Sequence, residues 1–127
     1  MRTKKGNNMC GLMISPIYWK NKQEKNTLSH RGPDQINHLK TKYFEMDFYR
    51  LAIMDLSALG MQPFESEKNF ALCNGEIYNF EKLEKELNHF KAKSHSDCEF
   101  LVHYFEHFGA EKLVQNLDGE YALIIAN

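Results

Sequence analysis

A hydrophobic fraction of 43% and an aromatic fraction of 13% across 127 residues suit one folded domain and argue against a disordered chain. Sixteen basic against 17 acidic residues, a net charge of -1, leave no electrostatic footprint for nucleic acid or an anionic membrane, and no apolar run approaches the roughly 20 residues that span a bilayer. Three cysteines without a close pair, and basic residues near Met1 with no apolar segment behind them, argue against a disulfide framework and a secretory signal; a reducing cytoplasmic setting fits better.

In chain order, residues 1–9 read as a polar leader and 10–127 as the domain. Cys10 to Trp19 is an apolar run broken by Pro16, expected as a strand buried on more than one side. Asn21 to Asn26 is a charge-rich link, and Gly32-Pro33 marks a turn. Lys42 to Asp55 reads as two neighbouring strands, Leu56 to Pro63 as a loop, and Phe70 to Cys73 as a short strand ended by Asn74 and Gly75. Phe80, Leu83, Leu87 and Phe90 recur at helical spacing behind Asn79 as N-cap, with a Glu81–Lys85 pair on the wet face. A second helix opens with Ser96 and Glu99 at capping-box spacing and runs through Phe108 to a stop at Gly109. A short helical piece around Leu113 to Leu117 leads to the Asp118-Gly119 turn and a last strand, Glu120 to Ala126. Strands and helices without strict alternation predict a mixed antiparallel α+β fold. The closing apolar strand calls for a neighbour on each side, so the domain reads as truncated at its C-terminal end.

The chemistry begins at Met9-Cys10-Gly11. A chain started at Met9 and trimmed of it would expose Cys10 with a free α-amine, which titrates near about 8 and can accept the thiol proton. The competing reading of a lone cysteine on a strand is a small buried residue. His30-Arg31-Gly32-Pro33-Asp34, the run Arg50 to Ser57, Gly60-Met61-Gln62-Pro63, Asn74-Gly75-Glu76-Ile77-Tyr78-Asn79, Ser96-Asp97-Cys98-Glu99 and Leu117-Asp118-Gly119-Glu120 follow in order. Taken singly, Arg50 reads as a surface residue, Asn74-Gly75 as a hairpin turn, and Asp97 as a first-turn acid favoured by the helix dipole.

As an ordered set, these segments resemble the N-terminal glutaminase domain of glutamine-dependent asparagine synthetases, from Met9 to the last residue. The resemblance implies a four-layer αββα fold with an N-terminal nucleophile, in which Cys10 attacks the side-chain amide of L-glutamine and passes through a glutamyl thioester. It implies Asn74 and Gly75 as an oxyanion hole, Arg50 as the clamp on the substrate α-carboxylate, and Glu76 and Asp97 as acceptors of its α-ammonium. It implies an ATP-dependent synthetase domain or subunit as the partner that uses the ammonia. ATP and Mg²⁺ would belong to that partner, and no cofactor is expected in this chain, which lacks the family's ATP-binding loop. Asn37 stands where the family usually has glycine, a change that asparagine's tolerance of left-handed backbone softens. Tyr49 also departs from the family's usual residues.

Two other readings compete. A leader retained before Cys10 would leave its nitrogen an amide and make the chain a non-catalytic remnant that binds glutamine or a partner. His103, Glu106 and His107 form a zinc-type H-x-x-E-H pattern on a predicted helix, but it has no downstream motif to supply a third ligand, so solvated helix residues are expected and no metal site.

Overall fold

A computed structural model of the chain describes residues 9–17 and 28–127. The expected leader before Met9, the link Asn21 to Asn26, and Tyr18 and Trp19 lie outside the described residues. The chain divides into two compact units, Met1–Ala52 and Ile53–Asn127.

The first unit is a three-stranded antiparallel sheet of β1 (Gly11–Pro16), β2 (Gln35–Lys40) and β3 (Phe44–Arg50), in the order β1-β3-β2. β3 is central and buries Met46, Phe48 and Tyr49 together with Asp47 and Arg50. The β2–β3 hairpin is tied by Thr41, whose hydroxyl donates to Phe44 O at 3.0 Å and accepts the N–H groups of Tyr43 and Phe44. Two expectations are corrected here. β1 is an edge strand with Ile14 and Pro16 exposed, so it is not buried on more than one side. Lys42 to Asp55 holds one strand, β3, and its hairpin neighbour is β2, whose weak polar alternation gave no strand signal. His38, exposed on β2, pairs through Nδ1 with the buried Asp47 carboxylate directly across the ladder.

The second unit sets two helices on one antiparallel sheet of β4 (Phe64–Glu65), β5 (Phe70–Ile77) and β6 (Gly119–Ala126), in the order β4-β5-β6. Alternation along β5 sends Ala71, Cys73 and Ile77 into a core completed by Leu83, Phe100, Leu101, Tyr104 and Leu113. β4 is too short to cover the free side of β5. The buried Gln62 amide takes over at Cys73, accepting its N–H at 2.6 Å and donating to its C=O at 2.9 Å. One side chain thus does what two strand residues would do.

α1 (Phe80–Glu86) stops short of the expected Phe90; Leu87 and Phe90 close single tight turns after it. α2 (Phe100–Asn116) bends at Gly109, where φ is +83° and ψ is 171°, as the glycine stop foretold. The capping box does not form. Ser96 Oγ accepts from Cys98 N at 3.2 Å, and the Glu99 carboxylate turns away to bind Lys93 N, Ser94 N and Ser94 Oγ. The ion pair on α1 is Glu86–Lys112 at 3.5 Å. Glu86 also accepts from the buried Tyr104 hydroxyl at 2.7 Å; burial and that carboxylate raise the phenol to about 12. Mixed antiparallel α+β is the class observed, and no helix among the described residues is long and apolar enough to cross a membrane.

Candidate active site

In the first unit, the chain at Cys10 turns into β1 with its sulfur against the exit of β3. Cys10 Sγ accepts the Leu51 N–H at 3.2 Å and lies 3.4 Å from Leu51 O, to which it donates. Both polar groups of one residue therefore hold the thiol. The exit of β3 is itself held by the loop at Arg31 to Asp34. Asp34 N donates to Arg50 O at 3.1 Å, and Asp34 Oδ2 accepts from Ala52 N at 2.8 Å, so Leu51 is gripped from both sides. Arg31 Nε donates to Cys10 O at 3.2 Å and ties the same loop to the cysteine backbone.

Gly32 sits where this loop meets β3. A Cβ there would lie 2.0 Å from Tyr49 O and 2.5 Å from Arg50 N, so only glycine lets the two backbones approach. Arg50 is 4% exposed and donates from Nη1 to Gln35 Oε1 at 2.8 Å, which contradicts the surface-residue reading. Burial pushes the Cys10 thiol above its ordinary value, while the Leu51 N–H and the Arg50 charge pull it down without offsetting burial.

In the second unit, Asn74, Gly75 and Glu76 are consecutive residues of β5, paired with Ala122, Tyr121 and Glu120 of β6. The expected strand end at Cys73 is therefore corrected: the strand runs through Asn74-Gly75 to Ile77, and no hairpin turn stands there. Gly75 is required for a reason the turn reading missed. Its φ is +148°, and a Cβ would lie 2.0 Å from Glu120 O. Asp97, 6% exposed, joins this strand: its Oδ2 accepts the Ile77 N–H at 2.6 Å, and its Oδ1 accepts from Cys98 Sγ at 3.6 Å. Glu76 is exposed.

The fold thus brings Cys10 and Arg50 together in one unit, and Asn74, Gly75, Glu76 and Asp97 together in the other. Leu51, Asp34 and Gln62 act through contacts that spacing does not reveal. Their only signal was membership of the ordered segments, without a role attached. The cleft of about 1010 Å³ in the second unit, lined by Phe64, Leu87, Phe90 and the face of α2 with His103, Glu106 and His107, contains none of the six candidate residues. Among the described residues no group of three or more His, Cys, Asp or Glu is placed to hold a metal ion.

Residues 9–127 match the family described as glutamine amidotransferase domain. A probable glutamine-hydrolysing asparagine synthetase of Acanthamoeba polyphaga mimivirus is 41% identical over 105 residues, covering 79% of this chain and 19% of that protein. Another probable glutamine-hydrolysing asparagine synthetase, from Dictyostelium discoideum, is 36% identical over 132 aligned positions, 94% of this chain and 23% of its own length. Amidase chyE of Penicillium rubens is 35% identical, over 77% of this chain and 15% of its own length. The chain spans less than a quarter of the length of each of these relatives.

Proposed function

The chain belongs to the glutamine amidotransferase domain family, and from that premise we propose that it is the glutaminase unit of an asparagine synthetase-type enzyme, releasing ammonia from L-glutamine. The single observation that carries this reading is the Cys10 thiol seated on the Leu51 backbone beside the buried Arg50. A nucleophile must stand at a fixed point, and backbone groups fix it better than a flexible side chain.

In the working form, Met9 and everything before it are removed, and the Cys10 α-amine takes the thiol proton. The sulfur attacks the glutamine δ-carbon, and the charge that develops on the amide oxygen is met by the Asn74 side-chain N–H and the Gly75 backbone N–H. The ammonium formed at Cys10 then returns its proton to the departing nitrogen. Ammonia leaves, and a glutamyl thioester remains for water to cleave to glutamate, restoring the thiol. Arg50 takes the substrate α-carboxylate, and Asp97 with Glu76 takes its α-ammonium, a pairing that selects free glutamine over a glutamine within a peptide. The whole domain adopts the four-layer αββα arrangement of N-terminal-nucleophile hydrolases. The ammonia goes to an ATP-dependent synthetase domain or subunit, where ATP and Mg²⁺ act.

Glutamate release from glutamine, measured on protein whose intact mass places Cys10 first, tests the reading: Cys10→Ala must abolish it, and unchanged turnover in that variant defeats it. A second reading, a non-catalytic glutamine-binding or partner-binding remnant, draws on one observation: burial raises the Cys10 thiol, which needs a nearby base to react. It expects Met9 to stay attached in the mature protein and glutamine to bind without release of glutamate.

A further inference from the structure

The end of β5 that carries Asn74 and Gly75 is held by contacts that no substrate role explains. Tyr78 N donates to Asp118 O at 2.8 Å. The Asn79 side chain spans the other side of the same loop: its Nδ2 donates to Asn116 O at 2.8 Å, and its Oδ1 accepts from Asp118 N at 3.1 Å. Asn79 stands at the N-cap position of α1 yet makes no side-chain cap hydrogen bond. Its amide is spent on joining the end of α2 and the start of β6 to the exit of β5.

The two strands are then pressed together just inside that joint. Gly119 pairs with Ile77, and a Cβ on it would lie 2.2 Å from Glu76 O. Two positions along, Gly75 would meet Glu120 O at 2.0 Å. Glycines on opposite strands therefore permit one continuous close approach, with Asn79 fastening its open end. Either contact, if lost, loosens the Ile77–Gly119 end of the β5–β6 ladder, beside the pairs that Asn74 and Gly75 make with Ala122 and Tyr121.

We infer that Asn79 and Gly119 are positioning residues that hold the Asn74-Gly75 segment of β5 in its working geometry. The kinetic part of this inference rests on the glutaminase reading; the structural part does not. A misplacement of about 1 Å costs on the order of 10²-fold in rate, and oxyanion donors act on the transition state rather than on bound substrate. The loss belongs in kcat.

The test uses the full chain with Asn79→Ala, Asn79→Asp and Gly119→Ala. Leu113→Ala serves as a variant that weakens the same unit from its buried core. Asn79→Ala is expected to lower kcat about 10²-fold with KM within about twofold. Asn79→Asp, which keeps the acceptor for Asp118 N but loses the donor to Asn116 O, is expected to fall between Asn79→Ala and the unaltered chain. Leu113→Ala is expected to lower Tm without this loss of kcat. The Gly75 amide resonance is recorded for each variant and is expected to shift in the Asn79 and Gly119 variants and not in Leu113→Ala.

A loss of kcat that follows Tm equally in Leu113→Ala overturns the inference, and so does a Gly75 resonance left in place by Asn79→Ala. If Gly119→Ala does not fold, the Asn79 pair decides the matter alone. If the unaltered chain, with Cys10 first, releases no glutamate, the glutaminase reading fails. The Gly75 resonance then still decides the positioning role: a shift in Asn79→Ala supports it, and no shift overturns it.

Discussion

The candidate residues of the first unit and those of the second are held in place by different means. In the first unit the cysteine sulfur rests on backbone groups of the buried Leu51, and a loop grips the strand exit around it. In the second unit, side chains do the fastening: Asp97 on Ile77 N, Asn79 on Asn116 and Asp118, Gln62 on Cys73. A backbone seat fails where the backbones touch and a Cβ has no room, as at Gly32. Side-chain fasteners fail one amide or carboxylate at a time. The difference teaches where single substitutions strike hardest.

The largest effect is expected at Gly32. A Cβ there meets backbone, at 2.0 Å from Tyr49 O, and backbone cannot swing aside. Gly32→Ala should destabilise the fold by about 3 kcal/mol or more, read as a lowered urea midpoint. Near-normal stability would mean that the loop is not pressed on β3 as described.

Asp97 comes next and separates fastening from charge. Asp97→Ala leaves the Ile77 N–H without its buried partner and should cost about 1–3 kcal/mol of stability. Asp97→Asn keeps an acceptor for that N–H while removing the negative charge. It should hold Tm near its original value and raise KM for glutamine about tenfold. Equal KM values for the original chain and Asp97→Asn would remove Asp97 from substrate binding and leave it only its role on β5.

Smaller again is Gly109. Its φ is +83°, but a Cβ there meets nothing within 4 Å, so Gly109→Ala pays only for an awkward backbone, about 1–2 kcal/mol. Set beside Gly32→Ala, it measures backbone strain without a clash. A loss as large as that of Gly32→Ala would contradict the distinction.

Much of this was legible because its causes are local. Gly109 ends a helical piece by its own conformational freedom, and the apolar spacing of Leu101, Phe105 and Phe108 is a property of the helix itself. The same is not true of Asn79, which sits at the predicted N-cap while its amide serves residues almost forty positions away. Ser96 and Glu99 have the spacing of a capping box, yet Glu99 finds three better donors at Lys93 and Ser94. Asn74-Gly75 looks like a turn because glycine after asparagine usually is one. Here the glycine is needed by a strand pressed against Glu120. β2 escaped notice because its side chains are largely exposed and polar, and it exists through its pairing with β3. The six candidate site residues came from the resemblance of ordered segments. The hold of Leu51 on Cys10, and of Asp34 on the residues either side of Leu51, depends on contacts between distant residues, which no local pattern encodes.

The mildest effect should appear with pH. The Ser57 side chain, the His95 N–H and the Ser57 N–H hold the Asp55 carboxyl down at about 2. An unfolded aspartate titrates near about 4. With the native value depressed, the stability linked to Asp55 is whole above pH of about 4 and is lost as pH falls toward 2. Asp55→Asn should flatten that part of the stability–pH curve, and an unchanged acid limb would count against the hydrogen bonds assigned to Asp55.

The claim on which everything else depends is that Cys10 is the nucleophile of a glutamine site. Its sharpest test is to treat the mature protein with a glutamine-derived electrophile and locate the adduct by peptide mass spectrometry. One adduct on an N-terminal Cys10, prevented by excess glutamine and absent from the buried Cys73 and Cys98, is the predicted result. Labelling that glutamine does not block, or a Cys10 that stays unmodified behind an attached Met9, would contradict the account.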